Sequence, residues 1–281
     1  MWIIPLFAHL IGSTGYNTLL RHAASDRKTD PLFLAAIMST AIAVPAVFGI
    51  FIADPDWSVY STRTILLFIL SASAVLAFHI INAKALEKTE ASIFSFLYNF
   101  RIGIATLLGM IVFGEILSPL TLAGGAMVFT AGFILMKRTS ARPSGIFFSV
   151  ASGAMIAFLN VIEKYLILQV GFAAYMFPAA IIIAVLLWIL VLGTKRPVDK
   201  TFIATKGFYA LAVLRGISAY GFTLSLWLGA LISVSTYISS LTCVTIAITA
   251  VIFLKETDSL NKKIAAGIIA LAGVTLIFLT N

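Results

Sequence analysis

The sequence predicts an all-α integral membrane protein whose ten transmembrane helices form two inverted five-helix repeats. Three observations point that way. The 281-residue chain is 61% hydrophobic and 11% charged, with a mean hydropathy of +1.08, whereas about a quarter of a soluble domain is charged. Apolar runs of about 20 residues, the length that crosses a bilayer as a helix, recur almost from end to end. The second half of the chain also repeats the pattern of the first.

The spans read as residues 3–20, 31–52, 64–84, 91–113, 120–136, 145–167, 172–192, 206–228, 233–254 and 262–280. Helices are expected throughout, because a membrane barrel would alternate polar and apolar residues over segments of about ten. The opening MWIIPLFAHLIGSTGYNTLLRH has no basic n-region and no small-residue cleavage pattern, so it is expected to be a retained first helix. The loops are too short to hold a soluble domain. Cys243 is the single cysteine, so no intramolecular disulfide and no CxxC motif can form. The net charge of +8 is spread singly over short loops, which fits lipid head groups and topology and gives no basic run for nucleic acid.

The repeat is legible at a constant offset of 141, which places Gly114-Glu115-Ile116-Leu117-Ser118 over Lys255-Glu256-Thr257-Asp258-Ser259, Gly132 over Gly273 and Ser92 over Ser233. Near the start of each half, Asn17 and Arg21 fall over Asn160 and Lys164 at an offset of 143. The halves run 1–138 and 143–281, together one membrane domain. Five spans per half is an odd number, so the second copy enters the membrane upside down. Inverted repeats of this kind are a common construction of secondary transporters, which bind near the midplane and alternate access by rocking. The alternative is that duplicated helices merely build a bundle.

AKALEKTEASIFSF, Ala83 to Phe96, followed by FGEILSPLTLAGGAMVFTAGFILM, Phe113 to Met136, resembles the repeat of the drug/metabolite transporter superfamily and within it the ten-helix EamA-type permeases. The second copy, Leu224 to Phe278, resembles it too, with LKETDSL in place of FGEILSP. The resemblance implies a bundle in which helices one, three, four, six, eight and nine surround a central cavity while the fifth and tenth pack at the side. It also implies transport, with substrates that range over amino acids, amines, nucleotide sugars, sugar phosphates, choline-like compounds and drugs, and export over import.

Lys and Arg are divided 15 to 2 between the odd-numbered loops and the even-numbered loops with the termini. Only Arg63 and Lys164 lie on the sparse side. By the positive-inside rule the odd loops face the cytoplasm and both termini lie outside. Members of the resembled family usually have both termini inside.

Two arginines fall within spans. Arg101 is eight residues past Ile93 and Arg215 nine past Lys206, about 12 and 13 Å along continuous helices. Both depths are counted from the basic face. A guanidinium there costs about 2.5–3.5 kcal/mol on insertion scales, so it must face protein or water. Of the chain's acids only Glu163 falls inside a span, near the opposite face, so neither arginine has an evident carboxylate. Its fork of five donors suits a carboxylate or phosphate, and the missing anion is expected to be the substrate. The alternative is that each side chain snorkels toward the basic face or bonds helix-end carbonyls.

Helical spacing gathers neighbours around them. Tyr98 and Asn99 precede Arg101, with Asn99 continuing a stripe from Ser92 and Ser95; Ser233, Thr236, Tyr237 and Ser240 form a matching stripe on the ninth span; His79 and Asn82 lie three apart on the third, with Tyr220 and Thr223 on the eighth. The expected substrate-binding set is Arg101, Arg215, Tyr98, Asn99, His79, Asn82, Tyr220, Tyr237 and Ser240, although hydroxyls in membrane helices often only bond between helices. His79 and Glu163 are the candidates for proton coupling; exchange against a counter-anion is the other route.

No Walker-type GxxxxGK[ST], HExxH or intramembrane aspartate pair is present, so neither ATP hydrolysis nor an enzyme is expected. The expected partners are a small-molecule substrate and the lipid bilayer, with a coupling proton or counter-anion, no cofactor, metal or nucleic acid, and a monomer or homodimer as the assembly. Two rival readings remain: an organic-cation, amine or drug transporter with an aromatic cage of Tyr98, Tyr220 and Phe222, and a flippase for a phosphate-bearing lipid.

Overall fold

The computed structural model describes residues 1–24, 30–53, 55–88, 94, 97–135, 143–195, 206–254 and 260–279. Every regular element among them is helical: α1 (Ile3–Ala24), α2 (Pro31–Ala53), a 3₁₀ turn (Trp57–Val59), α3 (Thr62–Lys88), α4 (Arg101–Phe113), α5 (Pro119–Ile134), α6 (Pro143–Val170), α7 (Phe172–Gly193), α8 (Lys206–Trp227), α9 (Ile232–Ser240), α10 (Thr242–Leu254) and α11 (Leu260–Phe278). Six of these, α2, α3, α6, α7, α8 and α11, are long and apolar enough to cross a membrane, while α4, α5 and the α9–α10 stretch are shorter apolar helices. The protein is an α-helical, multi-pass membrane protein. Large apolar side chains such as Phe48, Phe51, Ile111, Ile189 and Leu271 face outward, as lipid rather than water requires.

Most helix ends fall within a few residues of the expected spans, where a polar residue or a left-handed glycine such as Gly171 or Gly229 stops the apolar run. Two spans differ. The expected helix 91–113 is continuous only from Arg101, since Asn99 and Phe100 form a turn. There the Phe100 N–H bonds the Leu97 carbonyl and the Ile102 N–H the Asn99 carbonyl, three residues back instead of four. Arg101 therefore begins a helix among the described residues, and Ile93, from which its depth is counted, lies outside them. The expected helix 233–254 is interrupted in the same way at Leu241, whose N–H bonds the Ile238 carbonyl while Val244 N–H bonds the Leu241 carbonyl.

Side-chain bonds to the backbone account for the second interruption. The Ser240 hydroxyl donates to the Thr236 carbonyl at 2.8 Å, and the Cys243 thiol donates to the Ser240 carbonyl at 3.0 Å, which the 3₁₀ step has released. Such bonds compete with the helical ladder and bend it. A mid-helix 3₁₀ step of this kind often marks a functional hinge. Phe100 and Leu241 are 141 residues apart, the offset of the repeat.

The chain divides into two compact units, Met1–Ala83 with Ile162–Gly229 and Lys84–Val161 with Ala230–Asn281. In the first unit α1 packs on α8 and α2 on α7. Gly12 and Gly221 let the α1 and α8 backbones touch: a Cβ on Gly12 would lie 2.8 Å from the Leu214 carbonyl oxygen, and one on Gly221 2.6 Å from that of Pro5. Leu32 and Ala36 of α2 bury against Leu187 and Val191 of α7, and the Trp188 indole donates to Thr40 at 2.8 Å.

In the second unit α5 packs on α11 and α4 on α9. Gly124, Gly125, Gly132 and Gly273 are packing residues. Gly273 lies against the Gly124 carbonyl, Gly125 against the Tyr237 ring, and Gly132 against the Asn99 amide. Ser92, Ser95, Glu256 and the basic loop residues Arg27, Lys28, Lys137, Arg138, Arg142, Arg196, Lys200 and Lys255 lie outside the described residues.

Candidate functional site

In the second unit the chain is built around α9, whose nine residues ISVSTYISS are all buried. So polar a helix needs partners on every side. It runs antiparallel to α4 and is gripped at both ends. At its start stands Glu115, a residue that sequence alone places in a loop yet is only 6% exposed. Gly114 ends α4 in the left-handed conformation at φ 63°, and the chain folds back so that the Glu115 N–H bonds the Gly109 carbonyl. The Glu115 carboxylate then accepts from the Ile232 N–H at 2.6 Å, from the Ser233 N–H at 3.2 Å and from the Ser233 hydroxyl. It supplies the cap that Leu231 cannot, and its charge suits the positive end of the helix. Gly109 leaves the room, since a Cβ there would sit 2.9 Å from the carboxyl carbon.

At the other end of α9 lies Arg101. Its Nη2 donates to the Ser239 and Ser240 hydroxyls, each at 3.3 Å, and its guanidinium covers the Tyr98 ring at 4.7 Å. A cation also suits this negative end of the helix. Asn99 donates to Cys243 Sγ at 3.5 Å, so the turn before α4 meets the turn before α10. Among the described residues the partners of Arg101 are hydroxyls and a ring, not a carboxylate. One turn along, Thr106 donates to the Ile102 carbonyl, which leaves the Tyr237 hydroxyl to donate to Thr106 at 2.9 Å.

The structure thus brings Arg101, Tyr98, Asn99 and Ser240 together, with Tyr237 a turn away. Ser239 joins them unforeseen.

The first unit holds the other candidates. Arg215 of α8 lies over the Tyr16 ring of α1 at 5.7 Å, and His79 of α3 is within its electrostatic reach. Asn82 follows one turn after His79 on α3. The Tyr220 hydroxyl donates to the Ile42 carbonyl at 3.0 Å, and its ring meets Phe172 and Phe177 of α7 with centroids 6.5 and 6.4 Å away. Phe222 turns instead to His9 at 5.1 Å. Glu163 of α6 accepts from Thr223 of α8 at 2.6 Å, with Tyr175 of α7 near it. His9 Nδ1–H donates to the Ser218 carbonyl at 2.8 Å, so that proton holds α1 to α8.

No protein-family model and no curated protein matches the sequence. Solved structures do match. One, a crystal structure described only as that of a protein, superposes with a TM-score of 0.78 at 16% identity and covers 97% of this chain and 96% of its own. The likeness is one of fold. It extends over nearly the whole of both chains and leaves activity to be argued from the residues.

Tyr16, Ser239 and the capping role of Glu115 escape sequence reasoning. Tyr16 matters only because α1 packs on α8, and no local pattern announces that pairing. Glu115 reads as a loop acid until Gly114 turns it inward.

Proposed function

We propose that the chain is a secondary active transporter, an EamA-type ten-helix permease of the drug/metabolite transporter superfamily. It moves a small polar metabolite carrying a carboxylate or phosphate, such as an amino acid, by alternating access of two inverted five-helix repeats around a midplane site. Export is the direction the family resemblance favours. The observation that carries the reading is Arg101, a guanidinium in an apolar span with hydroxyl and ring partners and no described carboxylate. Arginine there is costly unless something compensates it, and an anionic solute would.

Further support comes from the pairing of helices. α2 packs with α7, α4 with α9 and α5 with α11, each a helix with its counterpart one repeat on. Interrupted helices at repeat-equivalent positions are a recurrent feature of transporter binding sites. The cell membrane is the proposed location, with the odd-numbered loops cytoplasmic on the Lys and Arg count. Coupling is to a proton, through Glu163 or His79, or to a counter-anion.

The aromatic-cage reading has one observation in its favour, the cluster of Tyr220, Phe172 and Phe177. It would place a cation in the unit that carries Arg215. Thermal stabilisation of the purified protein by anionic, zwitterionic and cationic metabolites, alongside Arg101→Gln and Arg215→Gln, tests the choice. A shift with carboxylates or phosphates that Arg101→Gln abolishes is the expected result. Stabilisation by cations that both variants keep would transfer the function to the cage.

A further inference from the structure

The outer face of the second unit carries a groove of about 290 Å³ between α10 and α11. Its apolar walls follow from helical register. On α10, Ile248 and Ile252 lie four residues apart and so on one side; on α11, Leu260, Ile264, Gly267 and Leu271 recur at spacings of four, three and four. Gly267 leaves the space between them. A Cβ there would already rest 3.4 Å from Ile248 Cδ1, so a longer side chain would enter the groove. Ile252, Ile264 and Leu271 are each more than half exposed, which opens the groove outward, toward the bilayer.

One member of the stripe is charged. Lys263 is three residues past Leu260 and four before Gly267, and it lines the groove with them. Lys262, about 100° round the helix, is exposed and forms no part of the walls. Among the described residues the walls hold no acid.

The dimensions match one leaflet. From Leu260 to Leu271 the walls run about 16 Å at 1.5 Å per residue, and half of a 30 Å hydrocarbon core is about 15 Å. Lys263 stands in the first turn of α11, a helix long and apolar enough to cross the membrane. Its flexible stem carries the ammonium to head-group level while the methylenes stay on apolar surface. An apolar channel of this length would accept any acyl chain, and a lysine in register with it selects a lipid whose head group is anionic. On the Lys and Arg count this end of α11 faces the cytoplasm, the leaflet that carries anionic lipid.

We infer that the groove between α10 and α11 is a binding site for one anionic phospholipid, with an acyl chain laid along Gly267 and the phosphate held by Lys263. The site needs the membrane spans of the fold and is independent of the transport reading.

Native mass spectrometry of the full-length protein in detergent counts the lipids retained as phosphatidylglycerol, or phosphatidylcholine with the same acyl chains, is titrated in. The parent retains one phosphatidylglycerol at about a fifth of the concentration that phosphatidylcholine requires, the effect of one lysine beside anionic lipid. Lys263→Gln binds the two lipids equally. Lys262→Gln removes the same charge one residue away and keeps the preference. Gly267→Leu fills the groove and retains neither lipid; if that variant does not fold, the two lysine variants carry the test. Excess inorganic phosphate leaves the lipid in place, because the acyl chain supplies much of the contact. Equal retention of both lipids by the parent, equal loss of the preference in the two lysine variants, or displacement by inorganic phosphate overturns the site. A dimer that Gly267→Leu dissociates would give the groove to a second copy of the chain and overturn it as well.

Discussion

Removing the Glu115 carboxylate should loosen α9 and with it the polar face that Arg101 uses. In Glu115→Ala the Ile232 and Ser233 N–H groups and the Ser233 hydroxyl lose their common acceptor. A buried donor left unpaired costs about 1–3 kcal/mol. The Ser233 hydroxyl can rotate to another acceptor, so the two N–H donors of the lost cap, at the low end, give about 2 kcal/mol. At roughly 2–4 °C per kcal/mol for a chain of this size, the unfolding temperature falls by about 4–8 °C. Glu115→Gln keeps one acceptor oxygen but loses the charge-assisted bonds, and a drop of about half that size follows. Ser233→Ala alone costs about 1 kcal/mol and is not additive with Glu115→Ala, because both remove the same bond. Thermal unfolding in detergent, followed by tryptophan emission, reads all four proteins. A Glu115→Ala protein that melts within about 1 °C of the parent would refute the capping argument.

Other consequences follow from the same geometry. Gly125→Ala places a Cβ 2.6–2.9 Å from the Tyr237 ring, so the ring must move off Thr106; a loss of about 1–3 kcal/mol appears as a lower melting temperature, and none would mean the ring is free to shift. Arg101→Lys keeps the charge but not the planar guanidinium that bonds both serines through Nη2 and lies over Tyr98, and anion affinity falls about tenfold, or about 1.4 kcal/mol, in a ligand-induced melting titration. Tyr60, in the loop before α3, donates to the Ala174 carbonyl, and burial raises its phenol above the usual value. The neutral form is favoured in the fold, so the stability it adds is intact below about pH 10 and is lost as pH climbs beyond that. The melting-temperature difference between parent and Tyr60→Phe, positive at pH 8, should shrink toward zero at strongly alkaline pH; a constant difference would contradict it.

How much of this was visible in the sequence depends on the range of each interaction. Span ends were legible because Asp30, Ser118 and Pro119 stop or start apolar runs through local chemistry. Tyr98, Asn99 and Arg101 were legible as neighbours because they are adjacent in sequence, and Ser240 because the ninth span carries its hydroxyls at helical spacing. The interruptions at Phe100 and Leu241 were not, since neither has a proline or glycine to announce it and the second arises from hydroxyl and thiol bonds to carbonyls. Arg215 was foreseen as buried, but its partner Tyr16 depends on α1 meeting α8, a choice made by Gly12 and Gly221 that no periodicity reveals. Glu115 illustrates the same point, because its role follows from one left-handed glycine and a helix over a hundred residues later.

The central claim is that Arg101 holds the anionic group of a transported solute. Its most direct test is counterflow in proteoliposomes: vesicles preloaded with an unlabelled amino acid or organic phosphate are diluted into the same labelled solute, and label entry is timed for the parent and Arg101→Gln. The account predicts accumulation of label by the parent for at least one carboxylate or phosphate solute, and loss of that accumulation in Arg101→Gln with the fold intact. Equal accumulation in both proteins, or accumulation of organic cations alone, would contradict it.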